Sequence, residues 1–197
     1  MKAKLITAPV KEPVTVVDMR GHLRVTQDDE DSLIQGIVAS ARELVEDWTG
    51  RAIMTQTWEY YLDAFPCESR IVLPFGNLQD VPLTQSVKWK DSAGVETTLA
   101  VGTDYLWETN GDQHGAVVLP YGETWPSGTF YTSNPITIKF VCGWTTATLV
   151  PLRIRQAIMM ITADMYENRG ERIIGQTVVE NTAAANLLNS MRLWGNF

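Results

Sequence analysis

The apolar residues between positions 28 and 49 recur at the spacing of an α-helix. Residues three and four apart share one face of a helix, so the pattern predicts an amphipathic helix with a single buried face. Asp28 stands where an N-cap residue belongs, and Gly50 suits the position after the last turn. The run QDDED is therefore interpreted as the start of a helix, because a metal site needs a different carboxylate spacing. The predicted buried face consists of Leu33, Ile34, Ile37, Val38, Ala41, Leu44, Val45 and Trp48.

Two later stretches have the same period. Pro151 suits the first turn of a second long helix, predicted over 151–169, whose apolar residues lie on one face. A third stretch, 182–194, predicts a helix too short to be stable alone, so we expect it to order on a partner. A short helical turn is also predicted before the first long helix. The apolar positions of the second helix are Ile154, Ala157, Ile158, Ile161, Met165 and Tyr166.

Between residues 55 and 144 the period changes from helix to strand. Short runs rich in β-branched and aromatic residues alternate with turn residues, which is typical of antiparallel strands. The segments KDSAGVE and TNGDQHGA contain the residues that tight hairpins require, including the dipeptide Asn110-Gly111. The predicted strand segments are TQTWEYYLDAF, RIVLPF, QSVKWK, ETTLA, DYLWET, GAVVLP and ITIKFVCGW.

These elements predict an α+β fold. An amphipathic helix gains stability by burying its apolar face, so the two long helices are expected to pack against each other in a small antiparallel bundle with the short N- and C-terminal helices. The antiparallel β region is then an insertion between the long helices. We expect a discontinuous helical domain formed by residues 1–50 and 150–197, and an inserted β domain formed by residues 51–149.

Composition limits the classes of function. The chain has 197 residues, 45% of them hydrophobic, and a formal charge of −7, which argues against a protein that grips nucleic acid with its whole surface. Cys67 and Cys142 form no CxxC pair, and both are expected to be buried small hydrophobic residues. No stretch resembles a signal peptide or a membrane span, so we expect no membrane partner.

Known catalytic and metal-binding motifs are absent from the sequence. His22 and His114 are the only histidines, so a zinc site or a Ser-His-Asp triad is not easily assembled. Asp104, Glu108 and Asp112 are close in sequence, but their spacing is that of a strand and a turn on a solvated face. We therefore expect neither an enzyme nor a cofactor.

Seven tryptophans suggest an alternative function, a β-domain binding module that recognises a sugar or a protein through exposed aromatic side chains. Trp48 and Trp58 fit periodic faces and are expected to be buried. Trp125 and Trp194 are the better candidates for exposed anchors.

Several stretches, in order along nearly the whole chain, resemble one protein family. They are HLRVTQDDED with the helix that follows, the TGRAI junction, IVLPFGNLQDV, VKWKDSAGVE, DYLWE, ITIKFVCGW, VPLRIRQAIMMITADMYENRGE and LLNSMRLW. In this order they resemble the head-tail connector (adaptor) proteins of tailed bacteriophages and their prophages.

The resemblance implies a structural virion protein that forms a ring of about twelve subunits under the portal, prolongs the DNA channel and offers a platform for the tail. The implied partners are the portal protein, a tail-side connector or stopper protein and copies of the same chain, and DNA passes without specific binding. The free chain is expected in the host cytoplasm, where it can be a monomer. Residues expected to contact the portal or a neighbouring subunit are Arg153, Arg155, Arg169, Arg172, Leu187, Leu188, Met191, Arg192, Trp194 and Phe197.

Overall fold

The computed structural model describes residues 2–81, 83–168 and 182–194, and the chain divides into two compact units. The α+β class, with a helical part and an antiparallel β region, is confirmed. The division into a discontinuous helical domain, 1–50 and 150–197, and an inserted β domain, 51–149, stays a prediction. The helical unit comprises Val10–Met54 and Trp144–Arg192. The β unit comprises Met1–Pro9, Thr55–Gly143 and Leu193–Phe197.

Within the described residues, the helical unit contains four helices packed around an apolar core. The short N-terminal helix begins with a capping box, in which the Thr15 hydroxyl accepts the Asp18 N–H and the Asp18 carboxylate accepts from Thr15. The helices are α1 (Val16–Leu23), α2 (Asp31–Thr49), α3 (Leu152–Glu167) and α4 (Thr182–Asn189). The core contains Val14, Met19, Ile34, Val38, Ala41, Val45, Ile53, Met54, Val150, Ile154, Ala157, Ile158, Ala184 and Leu188.

Helix α2 begins three residues later than the sequence predicted, so the assignment of Asp28 as its N-cap is wrong. Residues 28–30 form a turn, closed by the Asp31 N–H donating to the Asp28 carbonyl oxygen at 3.1 Å. Glu30 occupies the cap position, with φ −99° and ψ 6°, and its side chain caps no backbone N–H. The end of the helix is as predicted, because Gly50 adopts φ +68° and donates its N–H to the Glu46 carbonyl oxygen.

The buried face of α2 is narrower than predicted. Val38 and Val45 are buried, whereas Leu33, Leu44 and Trp48 are more than 40% exposed. The eight apolar positions span roughly half the helix circumference, and the packed core covers only part of that arc. The expectation that Leu44 and Trp48 are buried is therefore wrong.

In the part of the chain that the structure describes, the β unit contains all seven predicted strands and also β1, which the sequence pattern does not predict and which pairs antiparallel with β2. The strands are β1 (Ala3–Thr7), β2 (Gln56–Leu62), β3 (Arg70–Gly76), β4 (Ser86–Lys90), β5 (Glu96–Thr98), β6 (Leu106–Glu108), β7 (His114–Val118) and β8 (Ile136–Cys142). They form a five-stranded sheet of order β1-β2-β8-β4-β5 and a three-stranded sheet of order β3-β7-β6.

Both predicted hairpins are present. Asp91 closes the β4–β5 turn by accepting the N–H groups of Ala93 and Val95, each at 2.9 Å. Gly111 adopts φ +60° in the β6–β7 turn, a backbone angle that favours glycine. Local turn chemistry therefore sets both connections.

The two cysteines differ in burial. Cys142 is buried in β8, as expected, but Cys67 is exposed, so the expectation for Cys67 is wrong. Cys67 lies in the loop between β2 and β3, where no strand places its side chain on a covered face.

Candidate functional site

Helix α4 packs into the core of the helical unit. Leu188 is 1% exposed, Ala184 is also buried, and Leu187 and Met191 pack against the same core. In this structure the predicted partner residue Leu188 therefore contacts its own chain. The packing of α4 in the bundle agrees with the expectation from the sequence, and the long helices that cover its apolar face are the partners on which it is ordered in this structure.

Side chains of α2, of the residues just after α2 and of α3 hold the chain at the end of α4. The Trp48 Nε1–H donates to Asn189 Oδ1 at 3.3 Å, and Arg51 Nε donates to the Met191 carbonyl oxygen at 2.5 Å. Arg153, one of the predicted partner residues, donates from Nη1 to Ser190 Oγ at 3.2 Å. These bonds tie residues 189–191 to the rest of the helical unit.

The remaining predicted partner residues have different surroundings. Arg192 is exposed, and Trp194 is 77% exposed, as expected for an anchor side chain. Arg169, Arg172 and Phe197 lie outside the described residues. Contact of any of these residues with a portal or a neighbouring subunit stays a prediction.

Arg155, also predicted to contact a partner, lies in a groove of about 250 Å³ in the helical unit. Its Nε atom is buried and has no hydrogen-bond partner among the described residues. The Asp18 carboxylate in the same groove is already used by the α1 capping box. The groove is lined by Pro13, Val14, Asp18, Leu152, Arg155, Gln156 and Met159.

A buried ion-pair cluster in the helical unit was not predicted. Arg42 is 5% exposed and donates to Glu12 at 2.9 Å and to Glu46 at 2.6 Å. Burial opposes its charge, but Glu46 and Glu12 outweigh that effect and raise the pKa of Arg42. Glu46 also accepts the Ile53 N–H at 2.8 Å, so the cluster joins three separate segments of the unit. The spacing of Arg42 and Glu46, four residues apart, was the available sequence signal.

One face of the five-stranded sheet is rich in lysine, which the sequence analysis also missed. The register places Lys4, Glu59, Lys139 and Ser86 side by side across four strands, and Lys88 lies on the same face. The available signal was the alternation in SVKWK, where residues two apart point to the same side of a strand. A shallow depression of about 590 Å³ lies on this face. We call the residues Lys4, Lys88, Lys90 and Lys139 the lysine face.

A hydrogen bond on this face of the sheet raises the pKa of a tyrosine hydroxyl. The Tyr61 hydroxyl donates to the Glu59 carboxylate at 2.6 Å, which raises the pKa of Tyr61 to about 12, with smaller contributions from burial and from the charge of Glu59. Glu59 is therefore engaged with its own strand as well as lying between two lysines.

Two of the acidic residues that are close in sequence, Asp104 and Glu108, form hydrogen bonds or ion pairs with nearby groups of the β unit. Asp104 accepts the Ala100 N–H at 2.7 Å, and Glu108 forms an ion pair with Arg70 at 3.0 Å. Within residues 2–81, 83–168 and 182–194, no cluster of three or more His, Cys, Asp or Glu side chains could hold a metal ion. The same part of the chain contains no helix long and apolar enough to cross a membrane.

The tryptophans between Thr55 and Gly143 offer little open aromatic surface, because each of them is at least partly covered. Trp125 is half-buried, stacks on Phe65 with ring centres 5.1 Å apart, and donates its Nε1–H to the Glu68 carbonyl oxygen at 2.8 Å. Trp58 is half-buried and packs against Phe75. Trp125 is thus held by its own unit, and the interpretation of Trp125 as an exposed anchor is wrong.

Comparison with known proteins connects this architecture to one family. Residues 13–81 match the family model of the phage gp6-like head-tail connector protein, which confirms the resemblance identified in the sequence. No relative was found among curated protein sequences.

Solved structures with a similar fold come from gene transfer agent (GTA) particles. One chain is from the neck of the empty particle, computed with sixfold symmetry (TM-score 0.80), and another is from the virion of the native particle (0.79). A third is from the neck of the native particle, computed with twelvefold symmetry (0.78). Each is 20% identical to this chain, and each match covers 100% of this chain and 98% of the other. At this identity the similarity establishes a shared fold.

Proposed function

From the match of residues 13–81 to the head-tail connector family, we propose that the protein is a structural head-tail connector of a tailed phage or prophage. In this role it forms a ring under the portal, extends the DNA channel and provides the platform for tail attachment. The observation that carries the proposal is the combination of this match with a fold shared, over the whole chain, with a chain of a particle neck.

The charge of the chain supports passage of DNA rather than binding. Twelve copies at −7 would carry on the order of −80 in total, so DNA phosphates would be repelled from the assembly as a whole. The partners we propose are the portal, a tail-side stopper protein and other copies of the chain. No catalytic step belongs to this role, and its place is the virion, after a period in the host cytoplasm.

The end of the chain is the part we propose docks on the portal. Trp194 presents a large aromatic surface to solvent, and aromatic residues are enriched among the side chains that dominate interfaces. Arg192, two residues earlier in the chain, is also exposed. The packing of α4 in the core gives this segment a fixed base, so docking does not require the helix to fold first.

The test is assembly with the portal encoded in the same phage or prophage genome, followed by electron microscopy at physiological salt. We expect a ring of added density under the portal with wild-type protein, and at least about tenfold weaker docking with Trp194→Ala. Tyr121→Ala removes another fully exposed aromatic side chain and serves as the matched control. No association of the wild-type protein would contradict the connector role, and normal docking of Trp194→Ala would contradict the docking site.

A further inference from the structure

The lysine face is an unusual surface in an acidic protein. The chain has six lysines and a net charge of −7, yet four of those lysines lie on one face of the five-stranded sheet. Lys4 lies on β1, Lys139 on β8, and Lys88 and Lys90 on β4. Pairing between the strands thus gathers charges that are distant in sequence.

The lysine face retains positive charge after its own acids are counted. Glu96 pairs with Lys88 at 2.8 Å and lies 3.8 Å from Lys90, so one carboxylate serves two ammonium groups. Glu59 lies between Lys4 and Lys139 in the register and accepts the Tyr61 hydroxyl. Within the described residues, neither Lys4 nor Lys139 has a carboxylate within ion-pair distance. The face therefore carries about two uncompensated positive charges.

The acidic run before α2 contains two carboxylates that could pair with these lysines. Glu30 accepts the Tyr166 hydroxyl, and Asp31 pairs with Arg20 at 3.4 Å, so both act inside the helical unit. Asp28 and Asp29 are exposed, cap no helix and have no ion-pair partner in the described part of the chain. Two adjacent carboxylates therefore face solvent.

We propose that the lysine face of one copy binds Asp28 and Asp29 of the next copy in the ring. The inference rests on the proposed connector function, because a ring brings copies of one chain into repeated contact. A head-to-tail ring joins two different patches of the same chain, so each copy offers both partners. Two uncompensated ammonium groups meeting two exposed carboxylates give charge complementarity, which fixes partner and register.

DNA is a weaker match for this surface. A phosphate backbone presents regularly spaced negative charges, and it would meet Glu59 and Glu96 between the lysines. A short acidic protein segment can instead place its two carboxylates against the lysines and avoid Glu59 and Glu96. The net charge of the chain also opposes approach of a polyanion.

Charge reversal on the full-length chain tests the contact. We would compare wild type, Lys4→Glu/Lys139→Glu, Asp28→Lys/Asp29→Lys and the combination of all four substitutions. The readout is the fraction of portal particles that carry a complete ring in electron micrographs, measured against protein concentration. Each double variant should need about tenfold more protein, and the combination should return to within about threefold of wild type. Lys11→Glu and Glu123→Lys, at exposed sites outside both patches, are the charge-reversal controls, and each changes the net charge in the same direction as one double variant but by half as much.

The outcomes separate this inference from the connector role. Rings of wild type that weaken in both double variants and recover in the combination support the contact, as does weaker assembly at higher salt. Normal assembly of either folded double variant, or no recovery in the combination, overturns it and leaves the connector role standing. Binding of duplex DNA by wild type that is lost in Lys4→Glu/Lys139→Glu, with ring assembly intact, also overturns it. Absence of wild-type rings on the portal removes the connector role, and this contact with it.

Discussion

Adjacent positions on α2 give a sharp test of the helical core. Val45 is 0% exposed and lies in the core, whereas Leu44, one residue earlier, is 45% exposed. The sequence pattern predicts that both are buried, so that Leu44→Asp would unfold the bundle. The structure predicts instead that Val45→Asp unfolds the helical unit and that Leu44→Asp is tolerated.

The expected cost follows from burial. Removing a fully buried valine side chain costs about 1.5–3 kcal/mol of transfer free energy. A buried carboxyl has a pKa raised by several units above its usual value of about 3.9, which costs about 4 kcal/mol at pH 7. The sum of about 6 kcal/mol is comparable with the whole stability of a typical domain, about 5–15 kcal/mol. Leu44→Asp should cost no more than about 1 kcal/mol.

The measurement is denaturant unfolding of both variants, followed by far-ultraviolet circular dichroism. Both substitutions place Asp in the same helix, so the introduced residue has the same helix propensity, and the difference between leucine and valine is less than about 0.7 kcal/mol. The penalty for Val45→Asp should shrink as pH falls towards 4, because the folded-state pKa is raised and protonation removes the buried charge. A stable Val45→Asp variant beside an unfolded Leu44→Asp variant would refute the assignment of the buried face.

Two further predictions concern the β unit and one helical glycine. A Cβ added at Gly115 would lie 2.5 Å from Leu78 side-chain atoms, so Gly115→Ala should destabilise the protein by about 1–3 kcal/mol. A Cβ added at Gly36 in α2 meets open space, so Gly36→Ala should stabilise the protein by about 1 kcal/mol. Thermal unfolding measures both changes, and a change of the same sign for the two variants would contradict these environments. Because the pKa of Tyr61 is raised to about 12, the folded protein keeps the Tyr61 proton between about pH 10 and 12, where the unfolded chain has lost it. The contribution of Tyr61 to stability is therefore complete below about pH 10 and disappears as the pH rises to about 12. Ultraviolet titration should show one tyrosine fewer ionising near pH 12 in Tyr61→Phe and a lower pKa in Glu59→Gln; unchanged titration curves would refute the hydrogen bond.

The strands and hairpins of the β unit could be predicted because their signals are local. Alternating side chains and turn residues such as Asn110-Gly111 specify a strand or a turn whatever the rest of the fold does. Strand β1 lacks such a signal, since most of its residues are exposed and it is held by pairing with β2, some fifty residues away. Sheet order and the lysine face depend on the same long-range pairing, which no local pattern contains.

The helical unit shows the same limit in another form. Periodicity identified α2 and α3, but the arc that is buried depends on which neighbours pack there, so Leu44 was misplaced beside Val45. The predicted site residues are arginines in and after the second long helix and charged or apolar residues of the C-terminal segment. Three-dimensional packing then separates Leu188, which is in the core, from Trp194, which is exposed.

The acidic run before α2 shows both a local sequence signal and contacts that only the three-dimensional structure reveals. Acidic residues are favoured at a helix N-terminus in any fold, so the composition of the run predicts a helix start. It does not predict which carboxylate oxygen accepts a hydrogen bond from which backbone N–H. In the structure the two inner acids hold the helical unit through Tyr166 and Arg20, while Asp28 and Asp29 make no such contact. Exposed carboxylates near a helix N-terminus also stabilise the helix through its dipole, so Asp28 and Asp29 fit a role at the start of α2 without a contact inside the chain. The proposed contact with a neighbouring copy would give this outer pair a second role, and the charge-reversal variants separate the two roles, because loss of a dipole interaction lowers helix stability in the free chain and loss of the contact does not.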